Sequence, residues 1–496
     1  MLKKYNLEVI VFFSGLTVMI VELDGSRIIA PYFGTSLYVW TSIIGVILGS
    51  LSLGYWWGGK LADKKPEFSS LSKILFIAAI SIGALSILKD PLLASLQNTI
   101  KDVRAGSVVS SILFFALPNI MLGMVSPYAA KLKIKALANS GSTVGNLYAL
   151  STVGSILGTF LAGFYLIPAM GNSRILLLVS AVLILISIYA YAGNLVKKLA
   201  VTALLFLLAG LSALSDGRSA QAGYVDLDSQ YNRILVTPSV DVTTGRPIRN
   251  LYTDPFGIQS AMFTDRDNDL VFKYARYFRL APHFNPNIKK ALMLGGGGYT
   301  FARDFLEKNP DATIDVIEID PTFTKIAKSY FNLKDDPRLK IIHADGRIFL
   351  NQNNDKYDAI YIDTFKSLTP PFQLTTKEAV EKVYSHLNDG GVVMINLVSA
   401  IDGSKSEFLK ALNSTYLAVF PQVYVLPIIT TKIDVAQNII MVAIKSDQKP
   451  IFNSENLTEN TYLSHVYEGK IGEGKILTDD YAPVENLMQN VYTRVQ

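Results

Sequence analysis

The apolar residues of this 496-residue chain are unevenly spread, and their placement constrains the fold more than any motif does. Nearly all long apolar runs lie before about residue 215. Seven of them, near 8–30, 36–58, 72–88, 106–128, 142–168, 173–193 and 198–215, are close to or above the roughly 20 residues that a helix needs to cross a bilayer. In hydrocarbon a backbone polar group has no water to bond, so such runs become helices. The first run is not expected to be a cleaved leader, because it lacks a small-residue cleavage site and six more runs follow. This half of the chain therefore reads as a multi-pass domain of the cell membrane, with the lipid bilayer as partner.

Glycines recur at four-residue spacing in GSTVG (Gly141, Gly145) and GSILG (Gly154, Gly158), a pattern that lets apolar helices approach backbone to backbone. Glu22, Asp24 and Arg27 fall at the end of the first run. Charge in hydrocarbon is costly, so such residues pair or line a polar cavity. Alternatively the span ends at Val21 and they sit among headgroups; both readings fit the sequence. Asp24 and Arg27 are three apart and can pair on one helix face. Lys3 and Lys4, Lys60, Lys64, Lys65 and Lys73, Lys131, Lys133 and Lys135, and Lys197 and Lys198 all fall on one side of a seven-span arrangement. The positive-inside rule makes that side cytoplasmic, and the odd count carries the rest of the chain across.

Beyond residue 215 the pattern is that of a soluble domain. Residues 216–223 are small and polar and read as a linker. Runs rich in β-formers, QYNRILVTPS and RNLYTDPFGIQSAMF, predict a small antiparallel sheet within 216–265. Residues 268–284 look helical, with Tyr274, Tyr277 and Phe278 among the larger apolar residues. From 266 to 446 an α/β unit is expected, with strands beginning near Ala291, Ile314, Leu339, Ala359, Val392, Val423 and Ile439; residues 447–496 form a tail.

Several of those strands end in glycine or a carboxylate. LMLGGGGYTFARDF carries Gly295–Gly298, IDVIEIDP carries Glu318 and Asp320, IIHADG carries Asp345 and Gly346, and YDAIYID ends in Asp363. Open α/β sheets bind nucleosides at the carboxyl ends of their strands. Glycines let a backbone turn sharply and approach a ligand where a Cβ would collide. Glu318 is placed to accept ribose hydroxyls, the alternatives being a helix cap or a solvent-facing acid. Asp320, before Pro321, reads as a helix cap.

Composition removes other classes. The net charge of +5 comes with no basic stripe interleaved with aromatics, which argues against nucleic acid. Without cysteine there are no disulfides or thiolate metal sites. The four histidines lack ligand spacing, so no metal is expected.

Residues 224–446 resemble the spermidine synthase (polyamine aminopropyltransferase) family, whose fold is a relative of the class I methyltransferase fold. The whole chain resembles a bacterial group in which a membrane region is fused to such a domain, through RIIAPYFGTSLYVWTSIIG, GGKLADKK and LTDDYAPVE. The implied architecture is a multi-pass α-helical membrane domain, 1–215, joined to a Rossmann-like class I methyltransferase fold with a small N-terminal β-sheet. The resemblance implies a transferase acting with a sulfonium nucleoside, decarboxylated S-adenosylmethionine or S-adenosylmethionine, on an amine-type acceptor; a homo-oligomer is compatible with it. Asp363 is then the catalytic base. Gln259, Gly295, Gly296, Gly297, Glu318, Asp345 and Gly346 border the nucleoside, with Asp345 accepting from the adenine amino group or forming only a turn. Tyr231 matches the tyrosine of a tyrosine–glutamine pair whose glutamine is Asn232 here, and a structural role for it stays open. Two acids of the family are missing. The aspartate that follows three glycines is Gly298, and the acid three positions after the base is Lys366. A lysine there repels a polyamine by several tenths to a few kcal/mol, depending on exposure. Alternatives are methyl transfer from S-adenosylmethionine, a non-catalytic extracytoplasmic binding module, or a transport-linked protein. A domain carried outside the cytoplasm is also in tension with cytoplasmic sulfonium donors.

Overall fold

The computed structural model describes residues 6–491 except 35, 101, 135–139, 222–223, 230, 254–256, 266–268 and 365–369. The chain divides into two compact units, Met1–Leu235 and Val236–Gln496.

The first unit contains helices α1 (Asn6–Phe33), α2 (Leu37–Lys64), α3 (Phe68–Thr99), α4 (Val103–Lys133), α5 (Ser140–Ala169), α6 (Asn172–Ala190) and α7 (Leu195–Gln221). Among the described residues, α1 to α6 are long and apolar enough to cross a membrane. The seventh expected span, 198–215, lies in α7, which is not one of these six, so the structure supports six apolar spans among the described residues rather than seven. Residues 216–221, expected as linker, prolong α7 to Gln221. Adding a residue to a running helix gains a hydrogen bond for one pair of dihedrals, and one glycine costs only about 1 kcal/mol against that.

Sequence detail explains how these helices pack. In α5, Pro168 has no N–H to return to the preceding turn, and the helix widens just before it into a π-turn over Ala162–Leu166. A Cβ on Gly154 would strike the Phe12 carbonyl and one on Gly158 the Leu16 carbonyl, so α1 and α5 meet backbone to backbone. Gly141 and Gly145 face nothing within 4 Å and do not share that role. Lys198, read above as a marker of the cytoplasmic side, is only 6% exposed. Its ammonium donates to Ser72 Oγ at 2.5 Å, Ser187 Oγ at 3.0 Å and the Tyr191 carbonyl at 3.0 Å, tying α7 to α3 and α6.

The charged residues of α1 are inside the helix, which does not stop at Val21. Asp24 is fully buried and neither carboxylate oxygen has a hydrogen-bond partner, so the expected bond to Arg27 is absent. Arg27 donates instead to the Ser229 carbonyl, since a backbone oxygen there is within reach of its fork.

A small sheet in the order β1–β2–β3–β4 follows: β1 (Val225–Asp228), β2 (Arg233–Val240), β3 (Pro247–Tyr252) and β4 (Ile258–Phe263). The boundary between units falls within β2. In the second unit β3 and β4 pair antiparallel. A seven-stranded sheet is built from β5 (Lys290–Leu294), β6 (Thr313–Glu318), β7 (Leu339–His343), β8 (Tyr357–Ile362), β9 (Leu387–Ser399), β10 (Gln422–Pro427) and β11 (Gln437–Ile444), in the order β10-β11-β9-β8-β5-β6-β7. Strands β5 to β9 run parallel, and β10 and β11 are antiparallel. Ala291, Leu292, Ile314, Ile360, Val393 and Ile395 are at 0% exposure, as expected of strands covered on both faces. From β5 the chain builds outward to β6 and β7, then returns to place β8 and β9 on its other side. The strand order therefore reverses between β5 and β8, where a crevice opens at the carboxyl ends.

Candidate active site

The site is assembled by strand register. Leu294 of β5 pairs with Ile317 of β6 and with Ile362 of β8. The next residues, Gly295, Glu318 and Asp363, therefore share one level on three adjacent strands. With strands about 4.8 Å apart, Glu318 and Asp363 flank the glycine turn, roughly 10 Å from each other along the sheet edge. Asp345 lies just beyond β7, the strand next to β6. The expected acidic tips come together at this edge, but their side chains are engaged differently.

Gly295 has φ of +93° and a Cβ there would strike the Asp363 carbonyl, so glycine is needed for both reasons. Beyond it the loop folds onto Glu318. Oε2 of Glu318 accepts from Gly296 N at 2.9 Å and Gly297 N at 3.0 Å, and Oε1 accepts from Asp320 N at 3.0 Å. Glu318 is 6% exposed, and this desolvation raises its pKa despite the three backbone donors. A carboxylate offers about four acceptor directions, so one remains for a ligand.

Asp320 caps the helix Pro321–Tyr330 by accepting from Thr322 N at 2.9 Å. Asp345 likewise caps Gly346–Gln352, with Oδ1 accepting from Arg347 N at 2.8 Å and Ile348 N at 3.1 Å. Gly346 makes no demand for glycine, since a Cβ there would meet Leu374 at 3.4 Å and Leu294 at 3.8 Å, ordinary contact distances.

Asp363 is held by side-chain donors rather than by backbone amides. Tyr274 donates its hydroxyl to Oδ2 at 3.1 Å, and Asn396 Nδ2 donates to Oδ1 at 2.9 Å. Asn438 Nδ2 in turn donates to Asn396 Oδ1 at 2.9 Å. Burial raises the pKa of Asp363 above 3.8, and the two donors hold it down. A carboxylate so placed can take a proton from a bound ammonium or hydroxyl.

The missing family aspartate is explained by packing. A Cβ on Gly298 would lie 3.0 Å from Phe331 Cδ1 and 3.0 Å from Ser260 Cβ, and Gly298 N donates to Ser260 Oγ at 2.8 Å. The space an aspartate would need is therefore held by Ser260 of β4 and by Phe331. Gln259 precedes Ser260 on the same strand, beside the glycine loop. Tyr231 belongs to the first unit and is 39% exposed. Lys366 lies outside the described residues.

Against this geometry stand the comparisons with known proteins. Residues 276–456 match the family model described as spermine/spermidine synthase domain. This part of the chain is similar to the spermine/spermidine synthase family. A probable polyamine aminopropyl transferase of Bifidobacterium longum is 36% identical over 165 residues, covering 33% of this chain and 36% of the relative. A polyamine aminopropyltransferase of Chromobacterium violaceum is 32% identical over 160 residues, covering 32% of this chain and 61% of the relative. The chain thus spans about a third to three fifths of these relatives' lengths. A crystal structure of a probable spermidine synthase from Corynebacterium glutamicum aligns with a TM-score of 0.41 and 22% identity, over 48% of this chain and 85% of that one.

Several residues of this α/β domain were not singled out from the sequence. Tyr274 passed as one aromatic of a helical stretch, yet a buried tyrosine hydroxyl needs a partner. Asn396 interrupts the apolar run VVMINLV, and a polar residue in a doubly covered strand is a signal that was available. Tyr299 had no signal. It is a non-glycine residue at φ +56°, at 0% exposure, with its ring over Gly296 and its hydroxyl 2.7 Å from Thr324 Oγ1.

Proposed function

We propose that this chain is a membrane-anchored transferase that moves an alkyl group from a sulfonium nucleoside to an amine-type acceptor. The observation that carries the reading is the Asp363 carboxylate, partly buried at the reversal of strand order and oriented by Tyr274 and Asn396.

In this reading the nucleoside lies along the edge from Asp363 to Asp345. Gly295, Gly296 and Gly297 allow its close approach, the remaining acceptor direction of Glu318 takes a ribose hydroxyl, and Asp345 accepts from the adenine amino group. Gln259 forms part of the wall. Asp363 removes a proton from the acceptor ammonium, and the freed nitrogen lone pair attacks the carbon next to sulfur. The carbon–sulfur bond breaks with its electrons going to sulfur, which leaves as a neutral thioether. General-base help of this kind contributes about 10²- to 10⁴-fold. The donor is decarboxylated S-adenosylmethionine or S-adenosylmethionine. The cation Lys366 argues for an acceptor other than a simple diamine, and the crowding at Gly298 leaves no room for the acid that, by the resemblance, holds the amine of a donated aminopropyl group.

The test is to incubate the purified full chain with each donor and a panel of mono-, di- and carboxylated amines, and to identify the thioether released. Methylthioadenosine marks aminopropyl transfer and S-adenosylhomocysteine marks methyl transfer. Absence of both, with no binding of either donor, rejects the reading.

A further inference from the structure

Inside the first unit, α1 and α4 lie antiparallel. Ser14 Oγ donates to the Leu122 carbonyl at 3.3 Å, Gly25 abuts the Phe115 ring, and Gly106 abuts the Phe33 ring. This register sets Thr17 level with Asn119, and Asp24 level with residues 115 and 116, about one to one and a half turns from Ser111 and Ser110. On α1, Ser14, Thr17, Val21 and Asp24 follow the three- and four-residue spacing of one helix face. The seam between these two membrane-type helices is therefore polar along part of its length.

The polar groups on that seam are buried and unsatisfied. Thr17, Asp24, Ser110, Ser111 and Asn119 are each at 0% exposure. Thr17 Oγ1, both carboxylate oxygens of Asp24, Ser110 Oγ, Ser111 Oγ and Asn119 Oδ1 have no hydrogen-bond partner. Native interiors rarely leave so many buried oxygens orphaned together, because each costs about 1–3 kcal/mol and a charged one more. In a membrane helix such residues mark ion or substrate paths. Asp24 and Thr17 are seven residues, about 10 Å, apart along α1, which makes a file of oxygens rather than a single cage.

The charges nearby say what fits. Three cations of this unit, Arg27, Lys89 and Arg233, are already engaged. Lys89 is paired with Asp90 at 2.8 Å, Asp90 with Arg233 at 2.6 Å, and Arg233 with Asp226 at 2.6 Å. Arg27 is engaged with the Ser229 carbonyl. Each of these three cations is thus already engaged by another oxygen, and both oxygens of Asp24 remain unpartnered. A single carboxylate with hydroxyl and amide oxygens is a hard, singly charged ligand set.

We propose that the α1–α4 seam is a binding site for one monovalent cation, held by Asp24 and led to by the oxygen file of Thr17, Ser110, Ser111 and Asn119. The ligand is an alkali-metal ion or the primary ammonium end of an organic amine. This site is separate from the crevice of the second unit and does not depend on the chemistry proposed there.

The test uses the purified full chain in nanodiscs. Melting is followed while sodium, potassium or propylammonium replaces choline at constant ionic strength. A saturable rise in Tm with sodium or potassium identifies an alkali-metal site, and one with propylammonium alone identifies an ammonium site. Asp24→Asn is expected to abolish the saturable rise, and Thr17→Val and Asn119→Leu to weaken apparent affinity at least several-fold. No saturable response to any of the three cations overturns the proposal, as does an unchanged response in Asp24→Asn. If Asp24→Asn does not fold, the two uncharged variants decide, and unchanged affinity in both overturns it.

Discussion

Asn396 donates a 2.9 Å hydrogen bond to Asp363, and because Asn438 holds the Asn396 oxygen, the amide cannot flip without losing that second bond. The proton affinity of Asp363 is thus set by residues on two further strands.

Asp363→Asn is expected to lower kcat/KM by about 10²- to 10⁴-fold while leaving donor binding nearly unchanged. Transfer needs the ionised carboxylate, so the rate rises with pH through a pKa that burial has pushed above 3.8. Asn396→Leu removes a donor to the charged form and moves this acidic limb upward by about one pH unit, at about 1.5 kcal/mol for a hydrogen bond to a charged group. A pH profile of kcat/KM reads both effects.

Tyr274→Phe keeps the ring that stacks on Phe272 but loses the hydroxyl on Asp363. The acidic limb should shift in the same direction as for Asn396→Leu, with kcat/KM down by about tenfold and the melting temperature little changed. An unshifted limb would remove Tyr274 from the site.

Glu318→Gln replaces one carboxylate oxygen by an NH₂ group. Either the Gly296 and Gly297 donors or the Asp320 donor then loses its acceptor, at about 1–3 kcal/mol. The folded state of the native chain holds a proton on Glu318 more tightly than the unfolded chain does. The stability this gives is complete below 4.5 and is lost as pH rises through the raised value. Urea midpoints across that range should decline in the native protein, and less so in the variant.

Gly298→Asp restores the acid that the family resemblance leads one to expect, but it crowds Phe331 and Ser260. A loss of about 1–3 kcal/mol of stability is expected. Pairing it with Ser260→Gly should recover part of that loss, measured by denaturant unfolding.

Gly154→Leu should separate α1 from α5, because its side chain would have to pass the Phe12 carbonyl. Gly145→Leu, at a position with nothing within 4 Å, is expected to leave thermal stability unchanged.

Elements with strong patterning were legible in the sequence. The apolar runs became α1 to α7, and all seven strand starts of the large sheet, from Ala291 to Ile439, fall in strands. The glycine turn and the acids at 318, 345 and 363 were placed at one edge because strand ends can be read from where apolar runs stop. Side-chain engagement was not legible. That Glu318 would turn inward onto the glycine amides, or that Ser260 would occupy the room beside Gly298, depends on contacts between segments about 20 to 40 residues apart in sequence. The engagement of Lys198 was hidden for the same reason: a lysine next to an apolar run looks solvent-facing until the hydroxyls of Ser72 and Ser187 arrive to receive it.

The antiparallel strand β11 carries a consequence for anyone altering this domain. Asn438 faces Val398 in the ladder and reaches diagonally to Asn396. Sliding β11 by a single position would turn Asn438 to the opposite side of the sheet and cut the tether. Insertions in the turn before β11, far along the chain from the acid itself, should therefore be read out as altered titration of Asp363 before they are read out as unfolding.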